Sequence, residues 1–258
     1  MGEYVFRIAL ANRSIEIHSI HEEIYKTCKD YLLSGQDNEE TDILITLSNE
    51  DILSEKQESF NSRTGIQAEQ SIYFKDSYFE SLVGYRKICE EMPAFNTFLM
   101  HGSIIACEGW GYMFIAPSGV GKTTRTRLWL KEYPHSFVIN GDKPLLKVDD
   151  DYVYAFGTPW SGKENWNTNA SIRLRAIFML ERVQSGEKSS IRELRLAEAF
   201  PYLMAQTYQP RNMAARRKIL SLLKAVGERV RVYDFRSECN GEAIRLAYES
   251  TKPNCELP

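Results

Sequence analysis

From Phe114 to Leu130 the chain reads F-I-A-P-S-G-V-G-K-T-T-R-T-R-L-W-L. An apolar run enters a turn of small residues and leaves with helical periodicity, so strand, loop and helix follow one another. Ala116 to Thr123 has the spacing of a phosphate-binding loop, with Ala where the first Gly of that motif stands. A phosphate chain is polyanionic and must be gripped by groups that need no rearrangement. Gly119 and Gly121 let the backbone turn its N–H groups inward. The helix beginning near Lys122 adds the positive end of its dipole. The expected nucleotide contacts are Ser118, Gly119, Val120, Gly121, Lys122, Thr123 and Thr124. Lys122 is expected to reach the β- and γ-phosphates and the Thr123 hydroxyl to hold Mg²⁺. The stretch thus implies a nucleoside triphosphate site; the bland alternative is a glycine-rich strand–helix turn without a ligand.

A loop that grips phosphate does not say what becomes of it. Phosphoryl transfer also needs a carboxylate for the metal or the attacking hydroxyl. Asp142, just past the apolar run Phe137–Asn140, is the candidate, on a strand expected to neighbour the one that delivers the loop. Its bland reading is a turn cap. Asp149, Asp150 and Asp151 are a denser cluster, but they fall between two short strands and read as a solvated turn. His101 lies one hairpin before the loop; on spacing alone it is either a packed strand residue or a catalytic group. The segment Gly157-Thr-Pro-Trp-Ser-Gly-Lys-Glu-Asn-Trp is unusual in composition. Trp160, Ser161, Gly162, Lys163 and Glu164 are candidate substrate contacts, or parts of a rigid structural loop.

Working outward, residues 96–258 carry further strand patterns at Phe98–Cys107, Leu145–Val148, Tyr152–Phe156, Ala176–Leu180 and Val230–Phe235. A hairpin turn is expected at Glu108-Gly109, another turn at 184–188, and helices at Arg192–Met204, Asn212–Glu228 and Glu242–Glu249. The basic run from Arg211 to Arg231 reads as the solvated face of a helix whose apolar side is Met213, Leu220, Leu223 and Val226. Residues 1–95 suggest a small α/β unit. Its patterns are a hairpin turning at Asn12, a helix over His21–Leu33 stopped by 34–38, a strand at Asp42–Leu47, a strand near Ser71–Phe74 and a helix at Asp76–Met92. Asn49–Gly65 is polar and weakly patterned.

With 258 residues, 43% hydrophobic, the chain can bury a full core, and a net charge of -3 gives no general pull toward nucleic acid or membrane. The five cysteines, Cys28, Cys89, Cys107, Cys239 and Cys255, show no C-x-x-C spacing and read as reduced thiols. The N-terminus lacks signal-peptide order and no apolar run approaches ~18 residues. A cytoplasmic protein is expected.

Together, His101-Gly102 on a strand, a short Gly turn, A-P-S-G-V-G-K-T-T and a strand ending at Asp142 resemble the superfamily of HPr kinase/phosphorylase and ATP-dependent phosphoenolpyruvate carboxykinase. The nearest likeness is to the smaller bacterial HPr-kinase-like serine kinases, over about residues 96–250. The resemblance implies an α/β fold: a carboxykinase-type P-loop core, a mixed sheet with flanking helices, preceded here by a small α/β N-terminal domain. It implies ATP and Mg²⁺ as cofactors and a hydroxyl acceptor, most simply serine in a peptide, in a small protein or as the free amino acid. It matches His101 to an active-site histidine and gives Lys122, Asp142 and His101 the catalytic roles, with Thr123 and Asp142 as metal ligands. The HPr kinases carry two adjacent aspartates at the strand end, where Gly141 and Asp142 stand here. A nucleotide sensor without catalysis and a carboxykinase-like enzyme are the competing expectations. An oligomer is left open.

Overall fold

The computed structural model describes residues 3–33, 40–62, 74–183 and 187–252. The helix stop at 34–38, the strand near 71–74, the turn at 184–188 and Cys255 lie wholly or partly outside these residues. The chain divides into two compact units, Met1–Met92 and Pro93–Pro258.

In the first unit β1 (Tyr4–Leu10) and β2 (Arg13–Ser19) form an antiparallel hairpin, and β3 (Ile43–Thr46) lies parallel to β2. Ala11 and Asn12 both take positive φ, 49° and 63°, as a two-residue turn matching strand twist requires. The helices are α1 (Glu22–Thr27), α2 (Asn49–Ser62) and α3 (Asp76–Glu91). The helix expected over His21–Leu33 is α1 followed by a 3-10 turn at Lys29–Tyr31.

Helix α2 occupies a stretch whose polar pattern gave no element. Ser48 and Asp51 cap it reciprocally: Asp51 N donates to Ser48 Oγ at 3.2 Å and Ser48 N to Asp51 Oδ2 at 2.9 Å. Ion pairs tie it to α3, with Arg86 reaching both Glu55 and Glu58 and Lys87 reaching Asp51. A hydrophobic-period reading has little to detect in such a helix.

The second unit is a curled mixed sheet with helices packed on it. The strands are β4 (Thr97–Leu99), β5 (Ser103–Cys107), β6 (Trp110–Ile115), β7 (Phe137–Asn140), β8 (Leu145–Val148), β9 (Val153–Phe156), β10 (Ser171–Arg182), β11 (Ser190–Glu193) and β12 (Arg231–Ser237). The helices are α4 (Lys122–Glu132), α5 (Leu196–Gln206), α6 (Met213–Arg229) and α7 (Gly241–Glu249). The 12-residue β10 joins two halves. Its first residues pair with the antiparallel meander β4-β8-β9, and beyond a bulge at Leu174–Ala176 it runs parallel to both β6 and β12. β5 and β7 complete one side, and β11 covers the edge of β12.

Alternation along the strands builds two cores. Met113 and Ile115 of β6, with Ile177 of β10, join Leu203, Ile219, Leu222, Leu223 and Val226 from α5 and α6. Tyr112 and Phe114 face the other layer, with Phe178, Tyr233 and Phe235, against Trp129 of α4 and Tyr248 of α7. Trp129 is fully buried, with its ring 4.8 Å from that of Tyr112 and 5.7 Å from that of Phe114. Truncating it to Ala removes roughly 3–5 kcal/mol of stability.

Several expectations need correction. Phe98–Cys107 is two strands, broken at Met100–Gly102. β10 extends well beyond Ala176–Leu180, because its early residues pair with a different partner. The start of the Arg192–Met204 helix belongs to β11, and α5 begins at Leu196. On α6 the buried stripe is Ile219, Leu222, Leu223 and Val226, whereas Met213 and Leu220 are exposed. β7 does not adjoin β6. β5 lies between them, antiparallel to both, so β6 and β7 are parallel and one strand apart. Among the described residues no helix is long and apolar enough to cross a membrane.

Candidate nucleotide site

β6 ends at Ile115 and α4 starts at Lys122, so Ala116–Gly121 is the loop. Gly119 has φ 83° and Gly121, the N-cap of α4, has φ 112°. Both values lie where a side chain strains the backbone. The Lys122 ammonium folds back on the loop and donates to the Ala116 carbonyl at 2.8 Å. Burial pulls the Lys122 pKa below its usual value, and the negative charge of Asp142 works against that shift. Thr123 is half-buried and Thr124 exposed at the start of the helix.

Two arginines that the sequence reading did not single out brace this loop. Arg125, fully buried in the first turn of α4, donates through Nη2 to the Ser237 carbonyl at 2.7 Å and through Nη1 to the Val120 carbonyl at 3.2 Å. Arg182, the last residue of β10, donates to the carbonyls of Val120 at 2.9 Å and Gly119 at 3.0 Å. Holding the carbonyls leaves the loop N–H groups available for an anion. A motif search passes over both arginines because their work is done against backbone carbonyls that sequence does not display.

Asp142 stands past the end of β7, and Asn140 places it. The Asn140 side chain is fully buried; its Oδ1 accepts from Asp142 N at 2.9 Å and Lys143 N at 2.7 Å, while Nδ2 donates to the Thr158 carbonyl at 3.0 Å. Gly102 N donates to the Asp142 carbonyl at 3.0 Å, which ties the β4–β5 break to the same turn. The break therefore puts His101 next to Asp142, with Nε2 and Oδ1 2.9 Å apart. Lys143 Nζ holds the other carboxylate oxygen. Burial alone would raise the Asp142 pKa, but the hydrogen bond from His101 and the charge of Lys143 outweigh it and hold the carboxyl well below the usual range. Asn140 and Lys143 flank Asp142 in sequence, and a polar residue ending a buried strand was the available signal for Asn140.

The loop Gly157–Trp166 closes over this turn. Gly141 N donates to the Trp166 carbonyl at 2.8 Å. A side chain at Gly141 would begin 3.1 Å from the Ser161 carbonyl oxygen, so a carboxylate there would have to push the loop away. Gly162, with φ 80°, lies directly against Asp142. Trp160 and Ser161 are buried, and Ser161 Oγ accepts from Asn167. Lys163 and Glu164 are exposed, and Glu164 pairs with Arg127 of α4 at 2.6 Å. Of the five candidate contacts in this loop, the structure brings Gly162 to Asp142 and keeps Trp160 and Ser161 in the interior.

On the other flank of the Ala116–Gly121 loop is a cleft of about 650 Å³, walled by Pro117–Val120 and by the ends of β10, β12 and α5. Tyr202 and Gln206 of α5 line it. The Gln206 carbonyl accepts from His101 N at 2.7 Å, linking that wall to the His101–Asp142 pair. A cleft outside the carboxyl ends of parallel strands is where open α/β sheets bind ligands. Asp149–Asp151 form the exposed β8–β9 turn.

No protein-family model matches the chain, and no curated protein matches it in sequence. Among solved structures it is similar to the Hpr(Ser) kinase/phosphatase from Coxiella burnetii, with 10% identity, 49% of this chain and 93% of that chain covered, and a TM-score of 0.28.

Proposed function

We propose that this chain is an ATP-dependent phosphotransferase that phosphorylates a hydroxyl, with serine in a peptide, in a small protein or as the free amino acid as the acceptor class. The observation that carries the reading is the His101–Asp142 pair at 2.9 Å, whose carboxylate charge also acts on Lys122 of the phosphate loop. A phosphate grip and a positioned carboxylate are the two parts phosphoryl transfer requires.

Lys122 and the loop N–H groups balance charge on the transferring phosphoryl group. The acceptor oxygen bonds to the γ-phosphorus as the bond from that phosphorus to the bridging oxygen breaks, releasing ADP. The acceptor proton passes to the Asp142 carboxylate. A carboxylate with a depressed pKa is a weak base, which suits proton transfer late in a loose transition state. His101 fixes the orientation of that carboxylate. One hydroxyl and one carboxylate are hard oxygen donors of the kind that suit Mg²⁺. Thr123 and Asp142 would hold the ion, which supplies neutralising charge to the phosphates.

A second reading, a nucleotide sensor, draws on Lys143: its ammonium already engages the second oxygen of Asp142. Mg-ATP titration calorimetry with the wild type and Lys122→Ala, followed by transfer assays on serine-bearing acceptors, separates the readings. The kinase reading expects Lys122-dependent binding and transfer. Binding with no transfer to any acceptor favours the sensor, and absence of binding removes both.

A further inference from the structure

At the opposite end of the same strands is a second, smaller cavity of about 270 Å³. Four arginines line it: Arg173 and Arg175 near the start of β10, Arg229 ending α6 and Arg231 opening β12. They come from three elements and converge where the parallel strands begin, whereas the phosphate loop lies where β6 ends.

The arginines nearest the strands are held in place. The Arg173 guanidinium carbon lies 3.4 Å from the ring centre of Tyr152 and 4.8 Å from that of Trp110. Arg175 lies 4.9 Å from the Trp110 ring centre and donates through Nε to the Thr251 carbonyl at 2.8 Å. Both are half-buried. Arg231 is engaged chiefly by a hydrogen bond to Tyr233, and the charge of Glu193 of β11, which does not line the cavity, acts on it more weakly. Among the described residues no carboxylate forms an ion pair with any of the four.

Four like charges in one small cavity repel one another, and aromatic stacking does not neutralise them. An anion does. A planar carboxylate is satisfied by one guanidinium fork, whereas a tetrahedral dianion presents oxygens in several directions and takes donors from several elements. We propose that this cavity is a binding site for the phosphoryl group of a small soluble molecule, separate from the phosphate loop. The assignment stands whether or not that loop transfers phosphate.

Pyrophosphate is the probe, titrated calorimetrically into the full chain, the Lys122→Ala variant and that variant with the Arg229→Gln/Arg231→Gln double substitution added. Both substituted arginines are exposed, so a thermal melt unchanged from the wild type certifies the fold. Binding is expected to survive Lys122→Ala and, in that Lys122→Ala background, to weaken about ten-fold or more when the double substitution is added. Malonate, a dicarboxylate of two individually planar groups, is expected to bind about ten-fold more weakly than pyrophosphate. Loss of pyrophosphate binding in Lys122→Ala, or undiminished binding when the folded double substitution is added to Lys122→Ala, overturns the site. Malonate binding as tightly as pyrophosphate overturns the phosphoryl assignment.

Discussion

Gly119 and Gly121 both take positive φ in the Ala116–Gly121 loop, yet replacing each by Ala should have different consequences. At Gly119, φ 83°, an added Cβ meets nothing within 4 Å. Only the backbone strain remains, about 1–2 kcal/mol. At Gly121, φ 112° with ψ 31°, the Cβ would begin 3.0 Å from Arg125 Nη1. Strain there is about 2–3 kcal/mol. Displacing a buried guanidinium from the Val120 carbonyl adds about 1 kcal/mol. The difference between the variants is thus about 2 kcal/mol, or a gap in Tm of roughly 4–8 °C for a unit of this size. Thermal melts followed by circular dichroism read it, with Gly121→Ala melting lower. The same displacement loosens the loop, so Gly121→Ala should also lose Mg-ATP affinity by about ten-fold or more. Equal melts for the two variants, or a lower melt for Gly119→Ala, would refute the role given to Arg125.

Further outcomes follow from the same geometry. Arg182→Gln removes two donors from loop carbonyls at an exposed site, so Mg-ATP affinity should fall about ten-fold while stability changes by less than about 1 kcal/mol; calorimetry and thermal melts check both. Asn140→Ala leaves several buried partners unsatisfied and should cost about 2–4 kcal/mol in urea denaturation. Gly157→Ala would drive a Cβ into the Thr168 carbonyl and to 2.8 Å from the Ile139 carbonyl, so expression is expected to give no folded second unit. Asp142 has a folded pKa below its unfolded value. Its ionised form therefore stabilises the fold fully above about pH 4, and that contribution is lost as pH falls through the lower folded value. The stability gap between wild type and Asp142→Asn should be constant near neutrality and shrink in acid; a gap that widens below about pH 4 would contradict the ion pair.

The strand–loop–helix around Lys122 was legible because three local signals coincide: an apolar run, glycines where φ is positive, and a helical period beyond. Many of the strands and helices of the second unit were legible from short apolar runs among longer helical patterns, whereas their arrangement as a mixed sheet with flanking helices was what the resemblance implied. The partnerships were not. His101 and Asp142 meet because β5 inserts between β6 and β7, and neither residue shows that in its neighbourhood. Arg125 looks like a surface position in a polar helix until Ser237 is placed over it. Helix α2 was missed because a capping box and ion pairs sustain it. Gly141 read as a missing carboxylate. The structure gives the position a steric reason, since Ser161 and Trp166 have closed onto it.

The central claim is that Asp142, held by His101 beside a gripped phosphate, moves the phosphoryl group to a hydroxyl. Single-turnover transfer of γ-labelled phosphate from Mg-ATP to a panel of serine-bearing peptides and free serine, in wild type and Asp142→Asn, tests it most directly. Labelled product is expected from the wild type. At saturating Mg-ATP the variant should be slower by about 10²–10⁴ at unchanged fold. Transfer at the wild-type rate by Asp142→Asn, or ATP binding by the wild type with no labelled product from any acceptor, would contradict the account.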